Sequence, residues 1–477
     1  MLRLEHTYAD QLEGLYVSMQ PQGFPTPELR LLNRPLAEAL GLDASELEAG
    51  LLSGSAVPAE AKPIAQAYAG HQFGQLNPQL GDGRAMLLGE VVDPAGRRFD
   101  IQLKGSGETP FSRGGDGRAL LDSALREYII SEAMHALGVP TTRALAVVTT
   151  GETIDRGDRR GPGAVMTRVA SSHLRVGTLE FFAIRNETEK LERLVDYALR
   201  RHYPARADDE KPAQALLEEV AERQGELIAR WMQLGFVHGV MNTDNFTLSG
   251  ETIDYGPCAF IDVYDPEAVF SRIDRRGRYA FGNQPRIGAW NMARMAEALL
   301  GQLADTPEEA SPIAQAALER YGQRLQSTWL DGMRAKLGLA GAEDGDHELV
   351  EGLMEWMLES RADYTSTFRR LSASLREGRA AVSEDAAFVA WEERWRARLG
   401  EGELAKVAEA MDRVNPLYIA RNHLVEEALD RAVQGDLGPT EALVEVLARP
   451  FEAQPGRERY AEPAPADFGP YETHCNT

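Results

Sequence analysis

Asp244, Asn245 and Asp254 fall close together in the stretch FVHGVMNTDNFTLSGETIDYG, residues 236–256. Hard oxygen ligands on a loop and on the strand end facing it suit Mg²⁺, which keeps several waters and takes further ligands from nucleotide phosphates. Phosphotransferases of the kinase type divide that work between an Asn of the catalytic loop and the Asp of an Asp-Phe-Gly turn. Asn245 and Asp254 stand in those places. TDN and DYG each also read as ordinary Asx turns; their conjunction after a core helix favours the chemical reading. The spacing from His238 to Asn245 equals that of an H-x-D-x-x-x-x-N loop and puts Val240 where the proton acceptor would be. Valine cannot take a proton. Asp244 is the nearest replacement, and His238 reads as a packed structural histidine.

Lys104 and Glu127 form a second pair. Phe99, Ile101 and Leu103 alternate along a strand, so Lys104 projects to the opposite face, toward a cleft. Glu127 follows on the next helix, with small residues Ala124 and Ser131 on its own face; Glu132 is the competing partner, nearer Tyr128 and Ile129. A strand Lys held by a helix Glu orients an ammonium toward phosphate. The tetrapeptide GDGR occurs twice, at 81–84 and 115–118. Gly81 and Gly83 would let backbone N–H groups approach a phosphate, with Arg84 adding a bidentate fork. Asp116 and Gly117 would open the helix that carries Glu127 and bring its N-terminus to the same place. Arg168 and Arg175 could neutralise a di- or triphosphate or make surface salt bridges.

These residues need a frame. AMLLGEVVD (85–93) and FDIQLKG (99–105) read as a hairpin joined at PAGRR, a helix spans 119–138 and stops at Gly138-Val139-Pro140, and strands resume at ALAVVTTGETI and GAVMTRVA. Five strands with one helix after the third is the expected order. Beyond residue 170 the pattern turns helical, with a core helix over 214–235 and further helices over 288–303, 311–338, 347–376 and 385–449. FTL and TID, around Ser249-Gly250-Glu251, read as a tight hairpin. The expected division is 1–170, strand-rich with the glycine loops and the Lys–Glu pair; 171–450, helical with the metal-binding loop; and 451–477, a tail carrying Cys475.

The 51 basic and 74 acidic side chains give a net charge of −23, which argues against a nucleic-acid binder. Any anionic ligand therefore needs a locally positive pocket. No window supplies a membrane span or a signal peptide, so a cytoplasmic protein without membrane partners is expected. With two cysteines, Cys258 and Cys475, neither a disulfide framework nor a cysteine zinc site is available.

GHQFGQLNPQLGDGRA (70–85), QLKGSGETPFSRGGDGRA, HGVMNTDN, DYGP and NPLYIARNHLVEEAL (415–429) together resemble the selenoprotein O family over almost the whole chain. The resemblance implies an α+β, protein-kinase-like bilobed fold, with a β-sheet and one key helix followed by a large helical lobe. It implies a protein AMPylase: ATP lies in the pocket turned end for end, and AMP passes to a Ser, Thr or Tyr hydroxyl of a target protein. Asp244 would be the proton acceptor, and Asn245 and Asp254 the ligands of Mg²⁺ or Mn²⁺. Gly81, Gly83, Arg84, Lys104, Asp116, Gly117, Glu127, Arg168, Arg175 and Asp254 would bind the nucleotide. Spacing alone leaves open a kinase-like phosphotransferase, a non-catalytic ATP-binding regulator, and the oligomeric state, with a monomer expected. By the same resemblance Cys475 matches the family's C-terminal selenocysteine or cysteine. A reversible Cys258–Cys475 disulfide across the site is then the alternative to two free thiols.

Overall fold

The structure is a computed structural model that describes residues 3–157, 159–377, 382–400 and 402–473. Its N-terminal part is built on one antiparallel sheet of eight strands. These are β1 (Tyr16–Ser18), β2 (Glu28–Leu32), β3 (Ile64–Gln66), β6 (Ala85–Val92), β7 (Arg98–Lys104), β8 (Ala119–Leu120), β9 (Arg143–Asp155) and β10 (Arg160–Ala170). The order is β1-β3-β6-β7-β10-β9-β2, with β8 pairing on β10. A separate small hairpin joins β4 (Gly70–Gln72) and β5 (Gln75–Asn77). Short helices α1 (Thr7–Gln11), α2 (Arg34–Ala39) and α3 (Ala49–Ser53) accompany these strands, and α4 (Leu121–Ala136) follows β8.

The expected β6–β7 hairpin is present. The Asp93 carboxylate accepts the N–H groups of Ala95 and Arg97 at 2.9 and 2.8 Å and closes the turn. Ile101 and Leu103 pack with Met86, Leu88, Val148 and Val165 beneath Leu36 and Leu52 of α2 and α3. Period-2 alternation sends Asp100, Gln102 and Lys104 to the other face. Helix α4 packs against β9 and β10 and against the C-terminal helices α14 (Asn422–Val433) and α15 (Gly438–Leu447), which explains why Leu125, Ile129, Ile130 and Met134 are all buried. It ends at Gly138, whose φ of +78° suits a residue without a Cβ.

The remainder is mainly helical: α5 (Val176–Ala183), α6 (Thr188–His202), α7 (Pro212–Leu234), α8 (Gln284–Leu303), α9 (Pro307–Lys336), α10 (Asp346–Ser360), α11 (Tyr364–Glu377), α12 (Ala386–Leu399) and α13 (Leu404–Asp412) precede α14 and α15. One large core joins α4 to α7, α8 and α9; a second, around Trp391, Trp395 and Phe368, holds α10 to α13. Among the described residues no helix is long and apolar enough to cross a membrane.

The α+β class expected from sequence is observed, with four corrections. The sheet has eight strands rather than five, because β1, β2 and β3 are too short to display a period. FTL and TID do not pair as a hairpin: Thr247 bridges Arg175 and Thr252 bridges Thr141, while the Thr247 side chain bonds the Glu251 backbone to close a turn. Asp116 and Gly117 do not open α4, since β8 lies between them and its first residue. The helical ranges expected at 347–376 and 385–449 are divided into two and four helices; the first break falls at Arg361, with φ +54°.

Candidate active site

A cleft of about 1410 Å³ is lined by Gly81, Gly83, Arg84, Lys104, Asp116, Gly117, Glu127, Arg168, Arg175, Asp244, Asn245 and Asp254, so the residues singled out from sequence converge on one place. Val240 lines it too. His238 does not; it is buried, with Nε2 2.9 Å from the Ile253 carbonyl oxygen.

Asp254 is the charged centre. Its Oδ1 accepts from Lys104 Nζ at 2.6 Å and from Arg168 Nη1 at 2.7 Å, and its Oδ2 lies 3.5 Å from Arg175 Nη1. Burial alone would raise its pKa, but Lys104, Arg168 and Arg175 hold it well below the usual carboxylate range. The residue sits at φ +64°, a left-handed conformation uncommon outside glycine, though less so for Asp. Lys104 Nζ also donates to Glu127 Oε2 at 2.5 Å, whereas Glu132 is committed to Arg143 and Asn33. Arg168 and Arg175 are 1 and 2 % exposed, so neither makes a surface salt bridge. Gln102, on the Lys104 face of β7, accepts both Nε and Nη2 of Arg168 and fixes the fork. Arg175 stacks over the Tyr68 ring, 4.4 Å from its centroid.

Asp244 lies on a single 3₁₀ turn, Thr243–Asn245, and is 8 % exposed. Burial pushes its carboxyl up to about 7 despite the opposing pull of Arg175, whose Nη1 donates to the Asp244 carbonyl oxygen at 3.1 Å. Oδ1 has no hydrogen-bond partner among the described residues. A buried carboxylate with an unpartnered acceptor oxygen and a pKa near neutrality is equipped to take a proton. Asn245 Nδ2 donates to the Val240 carbonyl oxygen at 2.9 Å, which orients its amide.

The β4–β5 hairpin covers this turn. His71 N donates to Thr243 Oγ1 at 2.7 Å, Thr243 Oγ1 donates to Glu180 Oε2 at 2.6 Å, and His71 Nδ1 lies 2.7 Å from Glu180 Oε1. Phe73 N donates to Asn242 Oδ1 and to Tyr279 Oη, and Tyr279 in turn donates to Asn242 at 2.6 Å. Sequence reasoning assigned no role to Gly70, Glu180, Gln102 or Tyr279. Gly70 and Gln102 lay inside quoted motifs, but Glu180 and Tyr279 carry no local signal.

The glycine loops have a steric reason of their own. A Cβ at Gly81 would fall 2.3 Å from the Phe111 ring, and one at Gly117 would fall 1.9 Å from the Gly107 carbonyl oxygen. Asp82 between them is buried, and desolvation pushes its pKa up to about 6 against the pull of Arg175. Asp116 pairs with Arg156, which also lines the cleft and whose two Nη groups lie 2.7 and 2.8 Å from its carboxylate. Of the cations that line the cleft, Lys104, Arg168 and Arg175 gather on Asp254, whereas Arg118, Arg126, Arg156 and Arg159 pair with Glu152, Glu426, Asp116 and Asp122.

The profile of the family described as protein adenylyltransferase SelO matches residues 1–448. The chain belongs to the SelO family. A protein nucleotidyltransferase YdiU of Cereibacter sphaeroides is 57 % identical over 100 % of this chain and 99 % of its own. Proteins of the same name from Halalkalibacterium halodurans and Geobacillus kaustophilus are each 54 % identical, covering 98 and 100 % of this chain and 96 and 99 % of theirs. ROP2 from Toxoplasma gondii, a solved structure described as a virulence factor with a protein-kinase fold and no enzymatic activity, aligns at 13 % identity over 66 % of this chain and 88 % of its own. Its TM-score is 0.24, too low to define the fold by itself. Membership of the SelO family makes this chain an enzyme, a nucleotidyltransferase, for which ATP is the nucleotide donor.

Among the described residues no group of three or more His, Cys, Asp or Glu side chains is gathered into a metal site. The donors that are present still fit a hard cation in this SelO-family cleft. The Asn245 amide, oriented by Val240, and the Asp254 carboxylate would both offer oxygen donors, and a cation that completes its shell with water and phosphate needs no closed cage. Cys258 is buried and free, and burial pushes its thiol up to about 12. Cys475, its expected partner, lies outside the described residues.

Proposed function

We propose that this chain transfers AMP from ATP to Ser, Thr or Tyr hydroxyls of target proteins and releases pyrophosphate. The observation that carries the reading is Asp244: a buried carboxylate with an acceptor oxygen that has no hydrogen-bond partner among the described residues and a pKa near 7, on the loop where Val240 has taken the usual acid's place. Asp244 accepts the proton of the incoming hydroxyl. The hydroxyl oxygen bonds to the α-phosphorus, the bond from that phosphorus to the bridging oxygen breaks, and pyrophosphate leaves with the electron pair. Lys104, oriented by Glu127, together with Arg168 and Arg175, holds the phosphate chain and stabilises charge that develops on it. The backbone at Gly81 and Gly83, with Arg84, Asp116 and Gly117, completes the nucleotide wall. Asn245 and Asp254 would hold Mg²⁺ or Mn²⁺, which when bound neutralises phosphate oxygens.

The inverted placement of ATP follows from the family resemblance: it turns the α-phosphorus rather than the γ-phosphorus toward Asp244. The test uses purified protein, a divalent metal and ATP labelled in parallel at the α- or γ-phosphate, with protein acceptors. Label from the α-position only, lost in Asp244→Ala, is the expected result. Label from the γ-position would overturn the reading in favour of phosphoryl transfer.

A further inference from the structure

We infer that the segment Ser271–Arg278 is a docking surface for an acidic stretch of the target polypeptide beside the accepting hydroxyl. The inference rests on the protein-directed transfer proposed above and names the class of target. The sequence here is SRIDRRGR, four arginines in eight residues of a chain whose net charge is −23. Arg278 is used internally, its guanidinium 4.7 Å from the Trp290 ring centroid. Arg272, Arg275 and Arg276 are exposed, and their side chains make no ion pair or hydrogen bond with any described residue.

The loop that presents them is braced. The Asp274 carboxylate is buried and accepts the N–H groups of Arg278 and Tyr279 at 3.0 and 2.7 Å. Ser271 bridges Thr473 of the tail. Tyr279 then donates to Asn242, two residues before Asp244, so one short run of chain links the arginines to the turn that bears the proton acceptor. Ile273, 51 % exposed, lines the cleft between them. The cations proposed to meet ATP lie deep in the site, whereas these three stand outside it, on an edge that also offers an apolar side chain.

Charge complementarity selects the occupant. A chain of net charge −23 repels an acidic polypeptide overall, so three guanidiniums that pair with no described residue, beside the cleft, both steer its approach and fix its register. A nucleic acid would need a longer basic track than three arginines provide.

The experiment measures binding separately from transfer. A fluorescent peptide with one serine flanked by glutamates, and its counterpart flanked by lysines, are titrated into the full-length protein and into the Arg272→Ala/Arg275→Ala/Arg276→Ala variant. The glutamate peptide should bind wild type more tightly than the lysine peptide, lose about tenfold in the variant, and weaken as salt rises toward about 0.15 M. Equal binding of the two peptides, an unchanged variant, or tighter binding of a single-stranded oligonucleotide than of the glutamate peptide overturns the inference. Incubating the bound peptide with α-labelled ATP separates the two ideas. Charge-dependent binding without label on the serine would leave the docking surface standing and count against AMP transfer to it.

Discussion

A Cβ placed on Gly70 would stand 2.2 Å from Oδ1 of Asp244 and 2.8 Å from its carboxyl carbon. Only a residue without a side chain lets the β4–β5 hairpin close over the 243–245 turn. The same closeness keeps water from the carboxylate and accounts for its raised pKa. Gly70→Ala must push either the hairpin or Asp244 aside. A misplacement of that size should lower transfer about 10²-fold, with nucleotide affinity little changed because Lys104, Arg168 and Arg175 are elsewhere in the cleft. Turnover and equilibrium ATP binding, measured side by side, check it; a wild-type rate would show that Asp244 tolerates displacement.

Asp244→Asn keeps the shape and removes the acceptor. Loss of a general base costs about 10²–10⁴-fold, so transfer should fall by that range while ATP still binds. Asp254→Ala should behave differently. It leaves Lys104, Arg168 and Arg175 facing one another without their shared carboxylate, and binding that depends on divalent metal should weaken as well. Calorimetric titration of ATP with and without metal distinguishes the two variants.

The pH profile follows from the same group. A base must be deprotonated to work, so transfer should rise with pH through about 7, the value to which burial pushes Asp244. Stability runs the other way. Asp244 binds its proton more tightly folded than unfolded, so between about pH 4 and 7 the native state holds more protons, and stability is lost as pH rises through that window. Asp82, with a pKa near 6, adds to the trend. The thermal midpoint of Asp244→Asn should therefore exceed that of wild type more at about pH 8 than at about pH 5. Equal differences at both values would mean that Asp244 is already ionised at the lower pH.

Where local pattern dictates structure, the sequence was readable. The β6–β7 hairpin, α4, α7 and the convergence of Lys104, Glu127 and Asp254 rest on alternation, helical spacing and chain order. Glu127 could be preferred to Glu132 because small neighbours left room for a strand. What stayed hidden depends on contacts between distant segments. Gln102 fixes Arg168, Glu180 ties His71 to Thr243, and Tyr279 reaches Asn242 only after the chain has folded, so none has a spacing that announces it. The burial of Arg168 and Arg175 was likewise invisible, because an arginine says nothing about burial until its carboxylate partners are placed. Gly81 and Gly117 show the opposite limit: a motif suggesting phosphate contact is also demanded by the closeness of Phe111 and Gly107.

Lys336, far from the cleft at the end of α9, is 4 % exposed inside the second core, with its ammonium 4.0 Å from the Phe368 ring centroid and 5.6 Å from that of Tyr364. It pairs with no carboxylate among the described residues, and desolvation pulls its pKa down to about 7. The aromatic faces offset part of that cost. Above about pH 7 the folded amine loses its proton while the unfolded one keeps it up to about 10.4. The unfolded state then binds more protons, so this residue makes stability rise with pH across that interval. Below it the full penalty of a buried charge remains. Lys336→Met keeps the volume and removes the charge, so it should stabilise the protein by a few kcal/mol at neutral pH, with the gain shrinking toward about pH 10. Denaturant unfolding of both proteins across that range checks the prediction. A loss of stability at pH 7 would mean that the ammonium–ring contacts outweigh desolvation.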